Sequence, residues 1–248
     1  MISAVSREFL LVHGMSHGGW AWEPLARRLE RAGHRVVAPD LPGHGRRAAE
    51  RGRASITAYA RAAADAAIRA GLSRAIVVGH SMGGVVIPKV AELIPARVRH
   101  LVFVVAVVLP DGGRLLTAHL PPAAAALLHG LARAGGGAAQ YPAAMAWSRW
   151  LGDLAPGDPR VTDTLARLTP QPLRPWLERV DMRRFHALRV PATYVRCLAD
   201  VAVPPARAAA YAARLGVTPI DLDCAHSPML SAPDALARIL TRKDASWD

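Results

Sequence analysis

The sequence contains little lysine, and this scarcity bears on how its basic charge should be interpreted. Only two of the 31 basic residues are lysine, so arginine carries most of the formal charge of +12 in the 248-residue chain. Basic charge of this size ordinarily indicates a polyanionic partner. Here the arginines are scattered beside alanines, and no run of them is interleaved with aromatic side chains as in nucleic-acid modules. We therefore expect a solvated basic surface and no nucleic-acid partner.

Cysteines and long apolar runs are also scarce. Cys197 and Cys224 are the only cysteines, and on late strands such thiols more often act as small buried hydrophobic groups than as a redox pair. The longest apolar run, residues 101–109, has nine residues and is too short to span a bilayer as a helix. No signal-peptide pattern opens the chain. These features predict no membrane association and a cytoplasmic location.

Loops that bind nucleotides or metals are not evident. No glycine-rich loop of the kind that cradles phosphate occurs, so we expect no nucleotide cofactor. His13 and His17 have the spacing of a possible metal site. They bracket a glycine-containing loop instead of lying on a helix, and no acidic ligand follows them. We therefore expect neither a cofactor nor a metal.

What the chain does contain is an alternation of short apolar runs with longer helical patterns. The runs predict strands at residues 9–13, 36–39, 75–79, 100–108, 192–197 and 219–222. The other patterns predict helices at residues 22–32, 55–70, 82–93, 204–215 and 233–241. Strands this apolar, separated by helices, predict an α/β fold with a parallel sheet covered on both faces.

The alternation breaks once, between about residues 111 and 186. Alanine-rich helical segments with glycine and proline breaks occur there, and no strand-like run does. An insertion between two parallel strands emerges at one edge of the sheet, where it can cover a pocket. We therefore expect one domain, with a core formed by residues 1–110 and 187–248 and a helical cap formed by residues 111–186.

The stretch Gly79-His80-Ser81-Met82-Gly83 lies between a predicted strand and a predicted helix. This is the context of the G-x-S-x-G nucleophile elbow. The serine of such an elbow takes a positive φ, and glycines two residues away on either side relieve the crowding. Pro88 lies inside the helix predicted after the elbow, and we expect it to kink that helix.

A nucleophilic serine needs a base, and the base needs an acid that orients it. His226 follows the last predicted strand and Asp200 follows the strand before it. Both therefore belong at the same sheet edge as Ser81, in the order serine, acid, histidine that accompanies this elbow. Asp111 also follows a predicted strand and stays open as an alternative acid.

The reaction also needs N–H donors for the developing oxyanion. Our candidates are the backbone N–H of Met82, beside the nucleophile, and that of Met15, in the turn after the first strand. Three residues are expected to contact the substrate: Gly14, His17 and Trp147. Cap tryptophans can stack on an aromatic substrate, although packing within the cap is their commoner use: Trp147, Trp150 and Trp176.

With these residues in place, the chain resembles the α/β-hydrolase superfamily over nearly its full length. It is most similar to the branch of methylesterases and hydroxynitrile lyases. Four segments carry the resemblance: LLVHGMSHGGWAW, GHRVVAPDLPGHG, VVGHSMGG and CAHSPMLS. The resemblance implies a parallel-sheet core of about six strands with a helical cap, a triad of Ser81, Asp200 and His226, and oxyanion donors at Met15 and Met82.

That branch divides by chemistry. Its lyases carry threonine after the first motif histidine and lysine after the catalytic one, whereas this chain has Gly14 and Ser227. Dehalogenases and epoxide hydrolases use aspartate where this chain has Ser81. We therefore expect an esterase that acts on a small apolar or aromatic ester, including a methyl ester, thioester or lactone.

Two alternatives stay open. One is a lyase or another acid/base enzyme that uses the same triad for C–C cleavage, elimination or cyclisation. The other is a ligand-binding relative without catalysis. A small-molecule ester is the only partner that the sequence predicts. The oligomeric state is open, a homodimer included.

Overall fold

The computed structural model describes residues 6–242, so the ends of the predicted core, residues 1–5 and 243–248, lie outside the described residues. In chain order the strands are β1 (Glu8–Val12), β2 (Arg35–Val37), β3 (Ala75–His80), β4 (Val98–Val104), β5 (Ala138–Ala139), β6 (Gln171–Pro172), β7 (Ala192–Cys197) and β8 (Ile220–Leu222). The α-helices are α1 (Glu23–Arg31), α2 (Ile56–Arg69), α3 (Ile87–Leu93), α4 (Leu115–Ala118), α5 (Pro122–Ala134), α6 (Ala143–Trp150), α7 (Pro159–Arg167), α8 (Arg174–Leu177), α9 (Arg183–Leu188), α10 (Pro205–Arg214), α11 (Pro228–Ser231) and α12 (Pro233–Leu240).

Six of the strands form one sheet in the order β2-β1-β3-β4-β7-β8, and every neighbouring pair is parallel. Strand β3 lies inside this sheet and is buried along its whole length, as expected for a strand covered on both faces. Helix α1 packs with α12 and α2 packs with α3, and helices cover both sides of the sheet. The predicted α/β fold with a six-stranded parallel sheet is confirmed.

The helix predicted at residues 82–93 has a different form. The chain after β3 first makes a 3₁₀ helix, Ser81–Val85, and α3 begins only at Ile87. Pro88 therefore lies in the first turn of α3, where a missing N–H removes no helical hydrogen bond. The expected kink at Pro88 is wrong for this reason.

The strand predicted at residues 100–108 ends early. Val105 has a φ of +41°, which no extended strand can contain, so β4 stops at Val104. The rest of the apolar run is a buried loop, in which the Val107 N–H donates to the Ser81 carbonyl at 2.9 Å. The second half of the run thus makes a backbone hydrogen bond to the elbow instead of continuing the sheet.

Between β4 and β7 the chain forms an insertion, residues 105–191, that contains helices α4 to α9. It also contains an antiparallel pair, β5 with β6, so the expectation of no strand between residues 111 and 186 is wrong. Each of these strands has two residues, which is too short to produce an alternating pattern. No helix within residues 6–242 is long and apolar enough to cross a membrane.

Candidate active site

The elbow after β3 has the strained backbone that its sequence predicts. Ser81 has a φ of +50°, in the left-handed region that ordinary residues avoid. A Cβ added at Gly79 would lie 2.9 Å from the Gly83 carbonyl oxygen, and one at Gly83 would lie 2.8 Å from that of Val12. Gly84, outside the motif, is tighter still, because its Cβ would lie 2.4 Å from the Val107 oxygen.

His226 and Asp200 meet at the carboxyl edge of the sheet. Nδ1 of His226 lies 2.7 Å from Oδ2 of Asp200, and both side chains are almost fully buried. Oδ1 of Asp200 accepts the backbone N–H groups of Ala202 and Val203 at 2.7 and 2.9 Å. A carboxylate oxygen accepts hydrogen bonds, so Nδ1–H of His226 is the donor in this pair and Nε2 is the ring nitrogen left for another partner.

The alternative acid, Asp111, has a different partner. Its carboxylate accepts the backbone N–H of Met182 at 2.8 Å, at the start of helix α9. The side chain therefore ties the beginning of the insertion to its end. The hydrogen-bonded acid of His226 is Asp200.

Ser81 and His226 line the same cavity, together with Met15 and Met82. The insertion covers it with, among others, His119, Leu120, Tyr141, Arg149, Trp150 and Trp176. The cavity has a volume of about 20 Å³, which is room for about one water molecule. Within residues 6–242 no hydrogen bond joins the Ser81 hydroxyl to His226; such bonds are often long before substrate binds.

His80, the residue before the nucleophile, holds the loop that carries His226. Its Nε2 donates to the His226 carbonyl at 2.9 Å, and the two rings lie 4.8 Å apart between centroids. Burial holds the pKa of His80 well below its usual value, so this imidazole is neutral and can make a stable N–H donor. No local signal in the sequence indicates that His80, inside the nucleophile motif, also hydrogen-bonds the loop of His226.

Gly14 packs directly against the elbow. A Cβ at this position would lie 2.8 Å from Nδ1 of His80 and 3.0 Å from Cβ of Ser81. The backbone after β1 can therefore approach the nucleophile only because residue 14 is glycine. Any side chain there requires His80 to move.

The two candidate oxyanion donors flank the cavity. Met82 is the second residue of the 3₁₀ helix. The first N–H groups of a helix have no acceptor within it, so the N–H of Met82 is not used by the helix. The N–H of Met15 makes no hydrogen bond in the described part of the chain. Both groups are thus available to an oxygen atom at Ser81.

The loop that contains Met15 is anchored by the insertion. Ser16 has a φ of +60°, and its N–H donates to Oε1 of Gln171 at 3.1 Å. The same Oε1 accepts Nε2–H of His44 at 3.0 Å, and the Thr169 N–H donates to the Ser16 carbonyl at 2.9 Å. Gln171 is fully buried. It thereby joins the candidate oxyanion loop to the insertion.

His13 and His17, the two histidines after β1 with the spacing of a possible metal site, hydrogen-bond the backbone. Nδ1 of His13 bonds the Gly14 carbonyl at 2.8 Å, and its Nε2 accepts the Leu41 N–H at 3.1 Å. Nδ1 of His17 bonds the Met15 carbonyl at 2.7 Å, and burial lowers its pKa to about 4. Among residues 6–242, no group of three or more histidine, cysteine or acidic side chains is placed to hold a metal.

None of the three residues expected to bind substrate lines the cavity. His17 packs between Trp20 and Trp150 and, like Gly14, lies just outside the cavity lining. Trp147 donates its Nε1–H to the Leu154 carbonyl at 3.0 Å and does not reach the cavity. Trp150, one turn further along α6, does.

Sequence reasoning missed three polar residues of the cavity: His119, Tyr141 and Arg149. They lie in an alanine-rich segment without a motif, and only the folded insertion brings them together. Nδ1 of His119 bonds the hydroxyl of Tyr211 at 3.0 Å. Burial lowers the pKa of His119 to about 3, and the charges of Arg207, His226 and Arg149 act in the same direction.

Comparison with known proteins now assigns the family. A sequence profile of the "Alpha/beta hydrolase family" matches residues 9–239. The chain belongs to this family. The resemblance seen in the sequence is thereby confirmed, and it extends to the methylesterase-like branch.

Curated relatives of this α/β-hydrolase match part of its length. A carbendazim hydrolyzing esterase from Nocardioides sp. (strain SG-4G) is 41% identical over 116 residues, 46% of this chain and 48% of the relative. Methylesterase 7 of Arabidopsis thaliana is 33% identical over 108 residues, 42% of this chain and 41% of the relative. The matches thus span about half, or less, of these relatives.

A solved structure matches the whole fold. An extracellular α/β-hydrolase from a Paenibacillus species has a TM-score of 0.86 at 23% identity, covering 94% of this chain and 97% of that chain. At this identity the likeness concerns the fold, and it extends over nearly all of both chains.

Proposed function

We propose that this α/β-hydrolase is a carboxylic ester hydrolase, in which Ser81 is the nucleophile, His226 the general base and Asp200 the orienting acid. Its substrate is a small apolar or aromatic ester, including a methyl ester, thioester or lactone. The observation that carries the proposal is the Asp200–His226 hydrogen bond of 2.7 Å at a cavity shared with a strained serine. The esterases among the relatives support the same reaction class.

The proposed mechanism uses the hydrogen bond between Asp200 and His226. Nε2 of His226 takes the proton of the Ser81 hydroxyl as the oxygen attacks the acyl carbon. The carboxylate of Asp200 stabilises the imidazolium that forms, and the N–H groups of Met15 and Met82 stabilise the oxyanion. His226 then gives the proton to the leaving alcohol. A water molecule, activated by the same imidazole, releases the acid from Ser81.

The experiment is p-nitrophenyl acetate hydrolysis by the wild type and by Ser81→Ala. We expect Ser81→Ala to lose essentially all activity while its thermal melt stays the same, and a fluorophosphonate probe to label the wild type only. The exposed Ser148→Ala is the matched control and should keep full activity. Equal hydrolysis by Ser81→Ala and the wild type would reject the proposal.

The lyase alternative is weakened by a specific contact. Lyases of this branch place threonine at the position of Gly14, and here a Cβ would meet His80 at 2.8 Å. A cyanohydrin assay distinguishes the two reactions. Cleavage of a cyanohydrin without an acyl-serine adduct in intact-mass spectra would favour the lyase.

A further inference from the structure

The cavity at Ser81 has an unbalanced set of charges. Among the described residues its lining includes one cation, Arg149, and no aspartate or glutamate. Asp200 lies behind His226, fully buried, with its oxygens occupied by three hydrogen bonds. The acid of the triad is therefore not a counter-ion for Arg149.

Arg149 also has no carboxylate partner within residues 6–242. Nearby arginines of the insertion are paired: Arg160 with Asp158, and Arg167 with Glu23 and Asp163. Arg149 is partly buried at the end of α6, and its side chain lines the cavity. A carboxylate in the cavity would supply the ion-pair partner that Arg149 lacks among the described residues.

Two neutral groups beside Arg149 can complete an anion site. The hydroxyl of Tyr141 makes no hydrogen bond in the part of the chain that the structure describes, and Tyr141 is 8% exposed. Burial raises the pKa of Tyr141, and the Arg149 charge opposes that rise. His119 uses Nδ1 for Tyr211, which leaves Nε2 as its remaining polar atom.

The rest of the lining is apolar. Trp150 and Trp176 contribute rings, and Leu120 and Val107 contribute aliphatic groups. A ligand with a flat or aliphatic body and one charged end would match this division, since a guanidinium binds a carboxylate in bidentate fashion.

We propose that this cavity selects esters that carry a second, anionic group, a carboxylate, which is bound by Arg149 together with the Tyr141 hydroxyl while the ester carbonyl lies at Ser81. This inference rests on the proposed ester hydrolysis and specifies its substrate class. Arg149 is then a specificity-determining residue and takes no part in the proton transfers.

The test compares substrates that differ only in charge. For the acyl side these are p-nitrophenyl hydrogen glutarate and p-nitrophenyl 4-carbamoylbutanoate; for the alcohol side, 4-carboxyphenyl acetate and 4-carbamoylphenyl acetate. We expect wild-type kcat/KM, corrected for spontaneous hydrolysis, to favour the carboxylate of at least one pair. Arg149→Gln should lower that preference about 10-fold to 100-fold, the worth of a charged hydrogen bond, through a larger loss of kcat/KM on the carboxylate substrate than on the amide.

Control variants sharpen the result. Arg149→Lys keeps the charge and should retain part of the preference. Arg133→Gln removes an exposed arginine of α5 and should leave the preference intact. Equal kcat/KM for carboxylate and amide in both pairs would overturn the proposal. So would an equal loss on both substrates in Arg149→Gln, because Arg149 would then make no distinction between the carboxylate and the amide.

A binding measurement separates this inference from the proposed function. Calorimetry of monomethyl glutarate with Ser81→Ala and with Ser81→Ala/Arg149→Gln needs no turnover. Weaker binding by the double variant supports the anion site even if Ser81 proves dispensable for hydrolysis. Identical binding by the two proteins overturns it even if Ser81 proves essential.

Discussion

Asp200 and His226 share a hydrogen bond of 2.7 Å between Oδ2 and Nδ1, and the other oxygen of Asp200 accepts two backbone N–H groups. The carboxylate is thus held in place from one side while it holds the imidazole on the other. This arrangement makes Nδ1 the nitrogen that donates to Asp200 and leaves Nε2 for the proposed proton transfer with Ser81.

Replacing Asp200 by asparagine tests that arrangement. The amide can keep the two backbone hydrogen bonds through its oxygen, so its NH₂ group faces Nδ1 of His226 and favours the tautomer protonated at Nε2. We expect kcat for p-nitrophenyl acetate to fall on the order of 10⁴-fold with little change in the melt. Asp111→Asn should retain most of the activity; a comparable loss there would mean that the acid is misassigned.

Gln171 should act as a positioning residue through the loop that contains Met15. In Gln171→Met the buried N–H groups of Ser16 and His44 lose their acceptor, at a cost of about 1–3 kcal/mol each in the free energy of unfolding. A loop displaced by even 1 Å would also lower kcat/KM about 10-fold to 100-fold. Urea unfolding and ester kinetics measure both effects. The exposed Gln140→Met is the control, and unchanged kinetics in Gln171→Met would contradict the anchoring role.

Two glycines should respond to alanine in opposite directions. At Gly84 a Cβ would lie 2.4 Å from the Val107 oxygen, so Gly84→Ala should lower the free energy of unfolding by about 1–3 kcal/mol. At Gly130, inside α5, nothing lies within 4 Å of the added Cβ, so Gly130→Ala should raise it by about 0.5–1 kcal/mol. Urea denaturation of both variants checks the pair, and a Gly84→Ala protein as stable as the wild type would refute the contact.

His17 should contribute a pH dependence to stability. Burial lowers its pKa from 6.5 to about 4 in the folded protein, so below pH 6.5 the unfolded chain binds the proton first. The stabilisation is complete above pH 6.5 and is lost as the pH falls toward 4, by about 3 kcal/mol in all. In His17→Asn, which can still donate to the Met15 carbonyl, the curve of unfolding free energy should be flatter by about 1.4 kcal/mol per pH unit. For each protein, the unfolding free energy is expressed relative to its value at pH 8. Equal slopes for the wild type and His17→Asn between pH 6.5 and 4.5 would contradict the contribution of His17.

The parts of the site that sequence reasoning located are those with local signals. Ser81 is marked by the glycines and the strand around it, and His226 and Asp200 by their positions after apolar runs. The turn at Val105 could not be predicted. The apolar run of residues 101–109 is unbroken, so its pattern does not indicate where the chain leaves the sheet and continues as a buried loop.

The polar lining of the cavity depends on contacts between distant parts of the chain. The hydrogen bond of Gln171 to Ser16 joins residues 155 positions apart, and such contacts place the insertion over Ser81. No sequence motif next to Tyr141 or Arg149 indicates that its side chain lies at the cavity. Only the fold shows that these two side chains line the cavity, whereas the six-stranded parallel sheet could be predicted from the sequence.

The small volume at Ser81 has a kinetic consequence. A space for about one solvent molecule suffices for the second half of an acyl-transfer cycle, in which water attacks the acylated serine, but it is too small to hold an ester. If the proposed ester hydrolysis takes place here, an ester can bind only when side chains of the insertion, such as Trp150 of α6, move apart from the arrangement seen here. Turnover of that ester would then be no faster than this movement.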